Sequence, residues 1–281
     1  MKTVQTINEL QNILSSKKGK TIGLVPTMGY LHEGHLALLN KAREENDIVV
    51  SSIFVNPAQF GPNEDLDRYP RDIEHDTELA KIAGVDFLFV PSVTEMYPFE
   101  SGITIQVGKL STKLCGESRP GHFDGVLKVI TKLFHIIQPT KAYFGQKDAQ
   151  QLAIIETFVK AYNFPVQIER VSTVREADGL AKSSRNVFLS IKERAEAIHL
   201  FKGLTIATEI WKETKDINKA LNTGKEYIEQ NTSGKIDYFE ALSYPNLQSE
   251  FTHAEKILFA TAVFFENTRL IDNIIVNVKE V

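Results

Sequence analysis

Pro26-Thr-Met-Gly-Tyr-Leu-His-Glu-Gly-His35 is the stretch from which the rest of the chain is read. Before it runs Thr21-Ile-Gly-Leu-Val25, short, apolar and β-prone. After it runs Leu36-Ala-Leu-Leu-Asn-Lys-Ala-Arg-Glu-Glu45, whose apolar residues recur at helical spacing with charge on the far face. Strand, turn and helix therefore follow one another. Gly29 and Gly34 let the backbone turn and approach a ligand closely, and the first-turn amides of the helix are unpaired donors at a positive dipole end. Such a corner suits a phosphate chain. His32 and His35 lie on one face of a first helical turn and can both donate to the same phosphates. They can equally cap the turn or pack beneath it. Zinc is the weaker alternative, because the helical zinc motif His-Glu-x-x-His is one residue longer than this spacing.

The 281 residues suffice for one large or two ordinary domains. A net charge of −4 argues against an extended nucleic-acid footprint, which declares itself as a basic surface. The opening Met1-Lys-Thr-Val-Gln-Thr-Ile-Asn8 lacks the apolar core of a signal peptide, and no later run is long and apolar enough to span a membrane. Cys115 stands alone, so no intrachain disulfide is expected. These features suit a soluble cytoplasmic protein with no nucleic-acid or membrane partner, in which Cys115 is a packing residue.

Through the first half, β-like apolar runs at 21–25, 47–55, 85–90, 141–144 and 166–171 alternate with helical patterns at 36–45, 71–83, 123–137 and 149–162. This is the pattern of an α/β fold, a Rossmann-like parallel sheet with helices on both faces. Past residue 174 the character changes. A long helix at 189–212 with Ser190 as its cap signal, a second helix at 217–230 and strands at 235–242, 256–265 and 269–278 describe a smaller α+β domain. The expected domains are thus 1–174 and 175–281.

In parallel sheets of this kind ligands lie beyond the carboxyl ends of the strands, so the loops there are the places to seek chemistry. The second strand runs into the long polar loop 54–71. Its Asn56 and Gln59 suit a small substrate with hydroxyl and carboxylate groups, or the loop's own backbone. Asp65, Asp67 and Asp72 are acidic groups near which a magnesium ion can gather, but no metal ligands are assigned. After the 141–144 strand come Gly145, Gln146, Lys147 and Asp148: a flexible turn, a cation for phosphate and a carboxylate suited to an N-cap. Gln151 shares the helical face of Asp148. The last loop of the sheet, 172–186, holds Lys182, Ser183, Ser184 and Arg185, a mobile-looking clamp for the charge on a departing pyrophosphate. Arg185 can hold two phosphate oxygens at once.

The strand followed by His-x-Gly-His resembles the nucleotidyltransferase superfamily. Taken together, Pro26 to His35, Phe54-Val-Asn-Pro-Ala-Gln-Phe60, Asp67-Arg-Tyr-Pro-Arg71, Gly121-His-Phe-Asp-Gly-Val126, Phe144-Gly-Gln-Lys-Asp148 and Ser183-Ser-Arg-Asn186 resemble the pantothenate synthetase (pantoate–β-alanine ligase) family, in that family's order. The resemblance implies ATP-dependent joining of (R)-pantoate to β-alanine through a pantoyl adenylate, with AMP and pyrophosphate released and Mg²⁺ shielding the phosphates. It implies that Met28, Gly29, Tyr30, Leu31, His32, Glu33, Gly34 and His35 contact ATP. Gly145, Gln146, Lys147, Asp148, Val174, Lys182, Ser183, Ser184 and Arg185 are implied to do the same. His35 is the implied catalytic histidine, with His32, Lys147 and Arg185 beside it. Gln59 is implied to bind both pantoate and β-alanine, Gln151 to bind pantoate, and Asn56 to share the substrate loop. The C-terminal domain is the implied lid, and the family's habit is a homodimer. Lys182 departs from the family's usual apolar residue, often Met, before Ser-Ser-Arg-Asn. Two alternatives share the histidine corner: another adenylyltransferase, which has no evident need for Asn56, Gln59 and Gln151, and a non-catalytic ATP-binding sensor.

Overall fold

The apolar runs of the first half become the strands of one parallel sheet. The structure, a computed structural model, describes residues 1–62 and 64–280. Its elements begin with β1 (Lys2–Val4), α1 (Ile7–Ser15), β2 (Ile22–Thr27), α2 (Glu33–Glu45), β3 (Ile48–Ile53), α3 (Ile73–Ile82), β4 (Phe87–Phe89) and α4 (Val93–Met96). They continue with α5 (Cys115–Ser118), α6 (His122–Ile137), β5 (Lys141–Gly145), α7 (Ala149–Ala161) and β6 (Gln167–Val171). The last part holds α8 (Ile191–Glu196), α9 (Ile198–Thr214), α10 (Ile217–Asn231), β7 (Lys235–Tyr244), β8 (Lys256–Phe264) and β9 (Arg269–Asn277). Among the described residues no helix is long and apolar enough to cross a membrane.

The chain divides into two compact units. The first comprises Met1–Val107, Arg119–Gln146 and Ile154–Ser172, and the second Gly108–Ser118, Lys147–Ala153 and Thr173–Val281. In the first unit the six strands lie in the order β1-β4-β3-β2-β5-β6, every pair parallel. Val25, Val49 and Leu88 pack on one face with Leu38, Leu39 and Ala42 of α2 and Ala80 of α3. Leu24, Val50 and Phe89, each adjacent in its strand to one of these residues, are fully buried toward the opposite face, where α6 contacts β2. From β2 the chain proceeds to β3 and β4 on one side of the sheet, and later places β5 and β6 on the other. The strand order therefore reverses between β2 and β5, and their carboxyl ends flank the crevice where such sheets bind ligands.

The second unit is built on the antiparallel sheet β7-β8-β9. Phe239, Ile257, Phe259, Val263 and Leu270 meet Leu200, Leu204 and Trp211 of α9 and Ala220 and Ile228 of α10 on one face. The other face, Leu242, Tyr244, Leu258 and Ala260, buries Leu114, Ala149 and Ala153. This second face draws the 108–118 segment and the first turn of α7 out of the expected 1–174 domain. The Gln150 amide reinforces the arrangement by donating to the carbonyls of Leu110 and Lys113 at 2.9 and 2.8 Å.

Two local differences from the sequence expectation have clear causes. The expected single helix 189–212 is two helices, α8 and α9, joined at Ala197. Glu193 and Glu196 of α8 accept the backbone amides of Glu266 and Ser233, which ties that short helix to the ends of the strands. β1 and α1 were not anticipated. A three-residue strand is too short to show alternation, and it forms because Val4 finds a paired edge on β4.

One buried ion pair fixes the segment that follows β6. Arg175 reaches Asp272 of β9 with two bonds of 2.6 and 2.9 Å, while its guanidinium lies 3.6 Å from the centre of the Phe201 ring. Asp272 is 3% exposed. Arg175→Met keeps the aliphatic stem but leaves that carboxylate buried without a cation, and is expected to destabilise the protein by about 3 kcal/mol. A urea midpoint equal to that of the wild type would contradict this.

Candidate functional site

The corner after β2 is held from below by a carboxylate. Gly29 and Tyr30 both take left-handed conformations, with φ of 85° and 52°. Asp76 of α3, 1% exposed, accepts the Tyr30 amide on Oδ2 at 2.8 Å and the Leu31 amide on Oδ1 at 2.6 Å. Thr27 completes the turn, its hydroxyl accepting the Gly29 amide at 3.2 Å and donating to the Ser52 carbonyl at 2.7 Å. A Cβ at position 29 would stand 2.8 Å from Asp76 Oδ2 and 2.9 Å from Ile53 Cγ2, so glycine is required by space as well as by φ. Burial raises the Asp76 carboxyl above the ordinary Asp value, and the two amide bonds oppose that rise.

α2 begins at Glu33, three residues before the expected helix, because His32 is its N-cap. His32 Nδ1 accepts the Gly34 amide at 3.1 Å, and His35 Nδ1 accepts the His32 amide at 3.3 Å. The two rings stack at 4.1 Å between centroids. An imidazole nitrogen that accepts an amide hydrogen carries no proton, so in the neutral rings the N–H lies on Nε2. The capping and ligand-binding roles are thus compatible. One ring edge satisfies the helix terminus, and the other makes each histidine an Nε2 donor at the positive end of α2.

Beyond β3, Asn56 and Gln59 belong to one hydrogen-bonded group. Asn56 Oδ1 accepts the Ala58 amide at 3.2 Å and the Tyr97 hydroxyl at 2.9 Å. Its Nδ2 donates to Gln59 Oε1 and to the Gly125 carbonyl, each at 3.0 Å. Asn56 was expected among the substrate ligands. Both of its donors and two acceptor positions are used inside the protein, so that it braces the Gln59 side chain. Gln59 is 8% exposed, and its Nε2 lies 3.1 Å from Met28 Sδ, which links the 54–71 loop to the histidine corner. Tyr97 escaped the sequence reading, although it follows β4 at another strand's carboxyl end. Burial pushes its phenol up to about 12, so it is a hydroxyl donor at neutral pH.

The first unit therefore brings together Met28 to His35, Asn56 and Gln59, and it carries Gly145 and Gln146 at the end of β5. The remaining expected residues belong to the second unit. Gln146–Asp148 is a 3₁₀ turn running into α7, and the exposed Asp148 directly precedes the first residue of that helix. The Lys147 carbonyl accepts from Asn273 Nδ2 at 2.8 Å, and Gln151 is partly exposed on the first turn of α7. Residues 174–182 of the expected clamp region form a small hairpin. Arg175 pairs with Ala181, the Val174 carbonyl accepts the Lys182 amide at 2.9 Å, and Asn186 Nδ2 donates to the Ala181 carbonyl at 3.1 Å. Ser183 then caps a short helical turn containing the buried Ser184 and Arg185, its hydroxyl accepting the Arg185 amide at 3.3 Å. Lys182 lies 3.8 Å from Glu176, so the cation at this position has a carboxylate neighbour within the hairpin. Asp72 caps α3 by accepting the His75 amide at 3.0 Å. Among the described residues no group of three or more His, Cys, Asp or Glu side chains is placed to hold a metal ion.

Comparison with known proteins finds relatives along nearly the whole chain. Residues 2–275 match the family model described as pantoate-beta-alanine ligase. A pantothenate synthetase of Bacillus cereus (strain B4264) is 57% identical over 282 residues, covering 99% of this chain and 100% of that protein. One from Lysinibacillus sphaericus (strain C3-41) is 55% identical, covering 100% of this chain and 99% of its own length. Among solved structures, pantothenate synthetase from Thermus thermophilus superposes with a TM-score of 0.93 at 45% identity, covering 98% of this chain and 99% of that one. Pantoate-beta-alanine ligase from Francisella tularensis, complexed with beta-gamma ATP and beta-alanine, gives a TM-score of 0.80 at 33% identity, covering 98% and 97%.

Asp76 sets the measurable property of the corner. Asp76→Asn turns one of its two acceptors into a donor facing a backbone N–H, and is expected to weaken ATP binding about tenfold or more. Protonation of the wild-type carboxyl should act in the same direction. Because burial raises that carboxyl, the loss should begin, as pH falls, above the range of an ordinary aspartate. An ATP dissociation constant unchanged in Asp76→Asn, measured by calorimetric titration, would contradict this role.

Proposed function

The chain belongs to the pantoate–β-alanine ligase family and is an enzyme of that kind; on this premise we propose that it condenses (R)-pantoate with β-alanine, using ATP, through a pantoyl adenylate, and releases AMP and pyrophosphate. The observation that carries the reading is the double histidine cap beside Gln59 and Met28. It sets two imidazole rings at the N-terminus of a helix, next to a buried amide suited to a small polar acid. The Francisella relative, named as a complex with beta-gamma ATP and beta-alanine, supports both compounds as ligands.

The chemistry asks little more of the protein than placement and charge. A carboxylate is already ionised at neutral pH, so attack on the α-phosphorus needs alignment and neutralisation of the phosphates. We assign ATP binding to Met28–His35, Gly145–Asp148, Val174 and Lys182–Arg185, with His35 and His32 donating through Nε2 and Lys147 and Arg185 supplying positive charge. Gln59 binds pantoate and β-alanine, Gln151 binds pantoate, and Asn56 acts through Gln59. In the second step the neutral amine of β-alanine attacks the acyl carbon and AMP departs, which requires that water be kept from the adenylate. Mg²⁺ would serve here as the counter-ion of the nucleotide's phosphates. We further assign the 175–281 region the role of a lid, and the enzyme a cytoplasmic, homodimeric existence, on the family resemblance.

Pantoate labelled with ¹⁸O in its carboxylate is expected to transfer one labelled oxygen to AMP, read by mass spectrometry. Unlabelled AMP accompanied by pantothenate would overturn the adenylate route. His35→Ala is expected to slow adenylate formation about 100-fold or more, the scale for losing a transition-state donor. An unchanged single-turnover rate would remove His35 from that role.

A further inference from the structure

The Gly121 to Val126 motif has no function in the scheme above, yet its histidine grips the substrate loop. His122, the first residue of α6, places Nδ1 at 2.8 Å from the Gln59 carbonyl oxygen. A carbonyl only accepts, so Nδ1 carries the proton. Its Nε2 stands 3.1 Å from Arg119 Nη1, and a guanidinium only donates, so Nε2 must be the acceptor. The two contacts together define a neutral imidazole in the Nδ1–H form. Arg119 is held in turn by Glu64, through Nε at 2.8 Å and through Nη2, and also donates to the Gln59 carbonyl at 3.3 Å. Burial opposes the charge on Glu64, but Arg119 still holds its carboxyl below the usual range.

The backbone of the loop is equally confined. A Cβ at Gly125 would lie 2.0 Å from the Ala58 carbonyl oxygen, so the first turn of α6 touches the 57–59 turn directly. The Gln59 side chain is set from the other direction by Asn56. The Gln59 amide is thus oriented at both ends, by Asn56 at its tip and by His122 and Arg119 at its root.

We propose that His122, locked as the Nδ1–H tautomer by Arg119 and Glu64, is a positioning residue that fixes Gln59 for the binding of pantoate. The proposal rests on the reading that Gln59 is a substrate ligand. It also excludes His122 as the base for the β-alanine amine. One ring nitrogen already holds its proton toward a carbonyl, and the lone pair of the other faces a guanidinium.

Two isosteres separate this role from a merely structural one. Asparagine places its amide nitrogen where Nδ1 stands, whereas glutamine reproduces only the more distant Nε2. In the full chain, His122→Ala and His122→Gln are expected to raise the KM for pantoate about tenfold with the KM for ATP unchanged, and His122→Asn to restore it to within about threefold of wild type. His122→Asn as impaired as His122→Gln would overturn the proposal, as would wild-type KM values in both. A parallel rise in the KM for ATP would also overturn it, since that marks general disruption. Should His122→Ala fail to fold, the comparison of Asn with Gln decides. Wild-type enzyme that makes no pantothenate would refute the functional reading itself, whereas active wild type with the wrong variant pattern refutes only this inference.

Discussion

Two backbone amides pointing at one buried carboxylate organise the corner that follows β2. Without Asp76, the left-handed turn at Gly29 and Tyr30 would have no acceptor for the Tyr30 and Leu31 amides, and a non-glycine residue in that conformation is costly on its own. With it, the chain leaves β2 and enters α2 in a single fixed way. His32 and His35 can then cap each other's helix turn, and their tautomers follow from the caps. The orientation of the two rings is therefore a consequence of how the turn is closed, not of two histidines placed independently.

The same economy appears at the substrate loop. Asn56 is fully engaged within the protein and orients the tip of Gln59, while His122 and Arg119 hold its backbone. On the proposed adenylate route such pre-organisation serves the first step, which is limited by alignment and charge and not by proton removal.

What the sequence could show is what local chemistry controls. The run from Thr21 to Glu45 displayed strand, turn and helix because periodicity and glycine placement are local properties. The near-continuous apolar strands likewise announced a parallel sheet with both faces covered. The role of Asp76 was hidden, because its partners at Tyr30 and Leu31 are 46 and 45 residues away and no pattern marks a charge that will be buried against distant amides. Tyr97 and Arg119 were silent for the same reason. The 108–118 segment and the start of α7 looked like parts of the first domain, and they belong to the second because its sheet has another apolar face to cover. The internal bonds of Asn56 were not legible, because a sequence shows hydrogen-bonding capacity but not how much of it is already used.

The most direct test of the account is exchange of labelled pyrophosphate into ATP by the purified chain, with each substrate supplied singly. If the corner activates pantoate's carboxylate as an adenylate, exchange will require pantoate and no β-alanine, and β-alanine alone will support none. Protein that binds ATP yet shows no exchange with pantoate would contradict the account at its centre.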